Sequence, residues 1–305
     1  MQFDLVILGS NGAVAAYNRH PSSQILNYNS SLFMIDCGEG SQFQMAKYGV
    51  KPGRLDHVFI SHLHGDHYFG LVGMLTSFNL NWREPDLHIY APPGLEEIIN
   101  MHFSVSKTQL KFKIHFHTTQ TEKPGIIFDS PVMQVETIAL KHRLPTTGFV
   151  FREKKNLRKI LVDKITEHNI PFDKITGIKQ GADFTDEQGC IIANAELTLP
   201  PPEPRSYAYC SDTAYTETFI DRIQGIDLLY HEATFIREHT ARAEETFHST
   251  STQAATIAKM AGVGRLVIGH FSARYQSLDL LLEEARKIFP ETYLAIEGSV
   301  FAVKE

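Results

Sequence analysis

Residues 59–71 read FISHLHGDHYFGL. Three histidines and an aspartate crowd into the six positions His62-Leu63-His64-Gly65-Asp66-His67, directly after an apolar run. A strand ending at Ser61 projects alternate side chains to one side, so His62 and His64 face one point. Gly65 permits a tight reversal that returns Asp66 and His67 to that point from another direction. Imidazole and carboxylate together suit Zn²⁺ and similar divalent ions. A lone histidine is more often an ordinary core or surface residue. Four candidate ligands in six positions form a metal-binding pattern, and their grouping as His62/His64 and Asp66/His67 points to two ions.

Two ions need further ligands. His142 in ALKHRLPTTGF, Asp212 in SYAYCSDTAY and His270 in RLVIGHFSARY each stand just past the end of an expected strand, Val132–Leu140, Tyr207–Cys210 and Leu266–Ile268. For each alone a hydrogen-bonded structural role competes with ligation. As a set with one positional logic, in an open site built from strand-end loops, they favour ligation.

The remainder of the 305 residues supplies the frame. With 43% hydrophobic residues the chain can bury a sizeable core. Short β-branched strands are expected at Phe3–Leu8, Ser31–Ile35, His57–Ile60 and Leu87–Tyr90, with helices at Ser41–Tyr48, Phe69–Phe78, Gly94–Phe103, Ser251–Ala261 and Leu278–Ile288. Strands followed by helices, twice over, imply sheets covered by outer helices. MQFDLVILGS reads as a first strand and not as a signal peptide, and no apolar run is long enough to span a membrane. Cys37, Cys190 and Cys210, odd in number and without CxxC spacing, read as reduced thiols of a cytoplasmic protein.

Net charge is −6, but it is unevenly spread: residues 141–180 carry ten Lys/Arg against four acids, +6, which leaves −12 elsewhere. The basic stretch opens a compositionally distinct segment, residues 152–200, helix-like and then polar, ending in the proline run LTLPPPEPRS. It reads as an insertion projecting from the main body, without a core of its own, since three consecutive prolines continue neither a helix nor a central strand.

HLHGDH, a later His, SDT and GH follow the metal-ligand order of the metallo-β-lactamase fold. LGSNGAVAAYNRHPSS, IDCGEGSQFQM, SHLHGDHYFGLVGML, YCSDT, HEATF with FHSTSTQAA, and GHFSARY resemble the ribonuclease Z family, the tRNA 3′-processing endonucleases, nearly end to end. The resemblance implies an α/β chain of the metallo-β-lactamase fold, an αββα four-layer sandwich forming one domain over residues 1–305, with residues 152–200 as an inserted basic tRNA-binding arm. It implies that His62, His64 and His142 bind one Zn²⁺ and Asp66, His67 and His270 a second, with Asp212 bridging; Mn²⁺ or another divalent ion is an alternative. Asp66 would orient the nucleophile, His248 would act as general acid, and Glu232 would hold the His248 ring. On the residues alone, a surface or capping role for Glu232 and a helix N-terminal role for His248 stand on equal footing with these.

The implied activity is removal of 3′ trailers from precursor tRNA after the discriminator base, leaving a 3′-hydroxyl and a 5′-phosphorylated trailer, by a homodimer whose arm serves the partner's active site. The alternatives are a small phosphodiesterase or other metallo-hydrolase on the same scaffold, and a non-catalytic tRNA-binding protein. Two departures mark the chain: NIPFDKITGIKQG lacks the Gly-Pro pair of related arms, and Phe43 stands where relatives often carry a basic residue. Of the other histidines, His115 and His117 in KFKIHFHTT read as outward-facing on a half-buried strand, His57 and His88 have no special setting, and His20 is left open.

Overall fold

In the computed structural model residues 2–29 and 31–304 are described. Two compact units emerge, Met1–Asp129 with Val135–Phe151 and Arg205–Glu305, and Ser130–Gln134 with Arg152–Pro204. The first contains two seven-stranded sheets. One runs Val300–Ala302, Phe3–Gly9, Ser23–Tyr28, Ser31–Cys37, Leu55–Phe59, Leu87–Ala91, Ile114–Thr118. Its members are antiparallel as far as Ser31–Cys37 and parallel from there on. The other runs Thr292–Leu294, Arg265–Gly269, Leu228–Glu232, Ser206–Cys210, Thr146–Glu153, Met133–Leu140, Ile126–Asp129. Its first four strands are parallel.

Alternation along the strands builds the layers. Val58 and Ile60 pack toward Leu71, Met74, Leu75 and Phe78 of the helix Gly65–Leu80 and toward Ile99 of Leu95–Val105. Phe59, between them, turns to the other sheet and meets Phe149 and Phe151 edge-on at 5.4 and 5.3 Å between ring centres. On the outer side of the second sheet, Leu229, Leu266 and Ile268 are covered by Ala254, Ile257 and Ala258 of Ser251–Ala261 and by Leu281 and Ala285 of Asp279–Arg286. Helix, sheet, sheet and helix stack in the expected αββα order. The helix Ser251–Ala261 starts at a capping box, Thr250 with Gln253, and ends at Gly262 in the left-handed region. No helix among the described residues is long and apolar enough to cross a membrane.

The second unit corrects two expectations. The helix-like basic stretch after Arg152 is helical only in part: the strand Thr146–Glu153 enters it, residues 154–158 are irregular, and the strand Lys159–Ile160, paired with Thr198–Leu199, is followed by the short helices Val162–Glu167 and Phe172–Lys179. Nor is the segment without a core, for Ile170, Ile178, Phe184, Ile192 and Leu197 form a small apolar cluster. Dense charge masks these apolar positions in the sequence, because they are widely and unevenly spaced.

Gly70 shows how closely the first unit is packed. A Cβ there would lie 2.1 Å from the carbonyl oxygen of Gly38, in the turn that follows the strand Ser31–Cys37. Backbone cannot yield as a flexible side chain does, so Gly70→Ala is expected to destabilise the chain by about 1–3 kcal/mol, measured by urea denaturation. An unchanged midpoint would show that the helix can shift freely against the turn.

Candidate metal centre

Parallel register gathers the candidate ligands. Cys210 pairs with His231 and Glu232 with Gly269, so Asp212, Glu232 and His270 lie together at the carboxyl ends of three adjacent strands. The strand Leu55–Phe59 delivers His62 and His64 from the other sheet, and His142 follows Met133–Leu140. The expected reversal at Gly65 takes a different form: His64 is extended and Gly65 opens the helix Gly65–Leu80, which carries Asp66 and His67 in its first turn. Gly65 supplies room, because a Cβ would lie 2.3 Å from the Phe69 ring.

All seven expected ligands converge. His62 Nε2 and His142 Nε2 lie 2.9 and 3.2 Å from His64 Nδ1, and 3.6 and 3.8 Å from Asp212 Oδ2. On the other side of the same carboxylate, His67 Nε2 and His270 Nε2 lie 3.3 and 3.0 Å from Asp212 Oδ1. Each is 3.4 Å from Asp66 Oδ2. One group is therefore His62, His64, His142 and Asp212, and a second is Asp66, His67 and His270, the ligand atoms in each lying within 4.8 Å of one another. His248 with Asp212 and His270 meets the same criterion and borders the cluster.

The far nitrogen of each ring fixes which atom is offered. Ser61 donates its hydroxyl to Asp36 at 2.9 Å and so accepts from His62 Nδ1 at 3.0 Å. His67 Nδ1 donates to Asp36 Oδ2 at 2.7 Å, His142 Nδ1 to the Phe247 carbonyl at 2.9 Å, and His270 Nδ1 to Thr234 Oγ1 at 2.9 Å. The Nε2 lone pairs of these four rings are thereby turned into the cluster. Sequence reasoning missed these orienting partners, although Asp36 lies within IDCGEG. Asp36, Asp212 and His270 adopt positive φ of 56°, 60° and 56°, an uncommon conformation for non-glycine residues that recurs at functional sites.

Electrostatics agree with a cation. Burial presses the His62 imidazole toward neutrality, and the adjacent His67 ring adds to this. At His67 burial is outweighed by Asp212, Asp66 and Asp36, which favour positive charge strongly. His67 Nε2 is buried yet makes no hydrogen bond. His64 Nδ1 stands 2.9 and 3.2 Å from His62 Nε2 and His142 Nε2, close to the about 3.3 Å that two nitrogens keep on one tetrahedral zinc. The donor set thus fits divalent cations.

Glu232 is fully buried. It accepts from the Thr213 and Ser249 amides at 2.7 and 3.1 Å, from the Thr234 hydroxyl at 2.6 Å and from His248 Nδ1 at 2.9 Å. Burial works against charge on His248, but Glu232, by charge and hydrogen bond, raises its pKa to about 9. His248 also lines a cavity of about 750 Å³ together with His64, Asp66, His142, Asp212, His270 and Arg143. His20, left open by sequence, has its Nδ1 3.0 Å from Glu297.

Two facing sheets between helices, with a His/Asp cluster at their strand ends, define a metallo-β-lactamase-fold protein with a divalent-metal centre. The metallo-β-lactamase fold protein YhfI from Bacillus subtilis superposes with a TM-score of 0.69 at 19% identity, covering 98% of both chains. Human tRNase Z, short form, gives 0.71 at 26% identity over 99% of this chain and 100% of its own. "Ribonuclease Z" of Bacteroides fragilis strain YCH46 is 45% identical over 97% of this chain and 98% of its own length. That of Bacteroides thetaiotaomicron is 46% identical over 99% and 96%. The chain belongs to the ribonuclease Z family over nearly its whole length and, over residues 3–161, to the family described as "Anti-Pycsar protein Apyc1".

Asp36 generates a test. Asp36→Asn keeps the shape of the group that holds His67 but removes its charge. Divalent-ion affinity at the Asp66/His67/His270 group is expected to fall about 10–100-fold, read by chelator competition, with a smaller loss at the His62/His64/His142 group, which Asp36 reaches only through Ser61. Unaltered affinity at both would show that Asp36 serves folding alone.

Proposed function

We propose that this chain is a zinc-dependent endoribonuclease that removes 3′ trailers from precursor tRNA, cutting after the discriminator base and leaving a tRNA 3′-hydroxyl and a 5′-phosphorylated trailer. The observation that carries the reading is the pair of buried Glu232 and half-buried His248 beside a cluster of seven candidate ligands, in a chain of the ribonuclease Z family. In this reading His62, His64 and His142 hold one zinc and Asp66, His67 and His270 another, with Asp212 between them. Bound there, the cations lower the pKa of water and stabilise the attacking and leaving oxygens of an in-line displacement.

The chain's own groups do the rest. Asp66 Oδ2 accepts the Ala13 amide at 2.7 Å, which fixes a carboxylate able to orient a nucleophilic water. A departing ribose 3′-oxygen is a poor leaving group, and His248, held protonated by Glu232, donates the proton it needs. Residues 152–200 act as the tRNA-binding arm. Lys155, Lys159 and Lys174 are exposed, as charge for gripping phosphates requires. Phe172, 89% exposed on the same segment, offers a face for stacking on a base. The enzyme works in the cytoplasm, consistent with three free cysteines, and as a homodimer. Exposed Phe43 and Trp82 around a cavity of about 690 Å³ are apolar surface suited to such pairing.

Removing the general acid should separate binding from chemistry. His248→Ala is expected to keep its metals and its tRNA affinity while cleavage of precursor tRNA slows about 10²–10⁴-fold. A 4-nitrophenyl phosphodiester, whose leaving group needs no proton, should be cleaved almost as fast as by wild type. Because His248 loses its proton as pH rises through about 9, kcat on precursor tRNA should fall there while the activated substrate escapes that fall. Equal losses on both substrates would assign His248 to positioning and not to proton donation.

Charge reversal on the arm tests the other half. Lys155→Glu, Lys159→Glu and Lys174→Glu together should raise KM for precursor tRNA and flatten the logarithmic salt dependence of binding by about one unit for each phosphate no longer neutralised. Hydrolysis of the small diester should be unchanged. A parallel loss on both substrates would make the arm a structural element.

A further inference from the structure

One hydroxyl touches both halves of the site. Thr234 stands two residues past the end of the strand Leu228–Glu232 and is 5% exposed. Its Oγ1 lies 2.6 Å from Glu232 Oε2, 2.9 Å from His270 Nδ1, 2.9 Å from the His270 carbonyl oxygen and 3.4 Å from His248 Nδ1. A hydroxyl has one proton to give and two lone pairs to offer. The shortest of these contacts is to a carboxylate, so the proton goes to Glu232. Oγ1 is then free to accept, and the N–H of His270 Nδ1 is the donor that faces it. His248 Nδ1 gives its own proton to Glu232 Oε1 at 2.9 Å, which leaves its longer approach to Thr234 a side contact.

We propose that Thr234 is a positioning residue with two duties: through one hydroxyl it orients the candidate ligand His270 and steadies the carboxylate that aims His248, the second duty resting on the reading of His248 as general acid. The bond accepted from His270 Nδ1 leaves the Nε2 lone pair for an ion, and Nε2 faces Asp212 Oδ1 at 3.0 Å and Asp66 Oδ2 at 3.4 Å. The bond given to Glu232 joins those from the Ser249 amide at 3.1 Å and the Thr234 amide at 3.3 Å on the same Oε2. With that oxygen held, Oε1 stays turned to the Thr213 amide and His248. The other hydrogen bonds of Glu232 come from backbone amides and His248. Among the described residues the Thr234 hydroxyl alone is therefore bonded both to that carboxylate and to one of the seven expected ligands. The rings of His248 and His270 also stack, 5.2 Å between centres and 26° apart in plane, so a tether on one limits the other.

Ser61 makes an instructive contrast. Its hydroxyl stands between Asp36 and His62 in the same manner, but Asp36 holds another expected ligand, His67. At Thr234 the carboxylate holds the acid instead, so removing this one group should cost both metal affinity and proton donation. Thr234→Val keeps the shape and deletes the hydroxyl. It leaves Glu232 Oε2 one donor short and the N–H of His270 Nδ1 without an acceptor, and buried polar groups are costly to leave unpaired.

Wild type, Thr234→Val and Thr234→Ser would be compared as full chains. By chelator competition, Zn²⁺ affinity at the Asp66/His67/His270 group is expected to fall about 10–100-fold in Thr234→Val. With Zn²⁺ high enough to fill both groups, kcat on precursor tRNA should fall about 10-fold further than kcat on the 4-nitrophenyl phosphodiester, whose leaving group needs no proton. Thr234→Ser restores the hydroxyl without the methyl group and should recover both properties. If thermal melting shows Thr234→Val to be unfolded, Thr234→Ala against Thr234→Ser makes the same comparison with a smaller side chain. Wild-type zinc affinity and a wild-type ratio of the two kcat values in the variant lacking the hydroxyl would overturn the proposal. So would loss of one property without the other, or a serine variant as impaired as the valine one. The zinc affinities need no RNA, so a wild type that failed to cut precursor tRNA would overturn the proposed function and not the orienting of His270.

Discussion

The buried carboxylate of Asp36 is the group on which the centre depends. From the end of the strand Ser31–Cys37 it accepts the amide and hydroxyl of Ser61 at 2.8 and 2.9 Å, His67 Nδ1 at 2.7 Å and the Tyr209 hydroxyl at 2.6 Å. Tyr209 belongs to the second sheet, so one side chain ties both sheets to the segment that delivers the first ligands. A carboxylate taken out of water costs several kcal/mol unless donors replace its hydration. Four donors from three chain segments do so here, and each is fixed in return.

Consequences spread from that point. Ser61, its hydroxyl committed to Asp36, accepts from His62; His67, donating to Asp36, turns its other nitrogen toward Asp212. The parallel strands beyond Tyr209 then set Asp212, Glu232 and His270 side by side without any further device. Glu232 repeats the pattern at the far side of the site, accepting four backbone or hydroxyl donors while it orients His248. The same layout, a buried carboxylate aiming an imidazole, recurs at both ends of the site, for the proposed ligation at one and the proposed proton donation at the other.

Much of this was legible in the residues because ligands had to follow strands. HLHGDH after FIS, His142, Asp212 and His270 each announced themselves by position, and the structure brings all of them together. Sheets covered by outer helices followed from apolar strands with intervening helices, and the four-layer αββα order from the family resemblance. What stayed hidden depends on long-range pairing: Asp36 touches Tyr209 across 173 positions, and His57, His88 and His115 come side by side only through strand register. Within residues 152–200, charge concealed a small apolar core whose members, Ile170 to Leu197, have no single period.

The proposed metal cluster, proton donor and basic arm would all serve one reaction, so the most direct measurement is the position of the cut. Purified chain, loaded with zinc, would be incubated with a 3′-extended precursor tRNA and both products mapped at nucleotide resolution with their end groups identified. A single cut after the discriminator base is expected, with a hydroxyl on the tRNA and a phosphate on the trailer. Cleavage scattered along the RNA, or an intact precursor with the metals bound and the 4-nitrophenyl diester still hydrolysed, would contradict it.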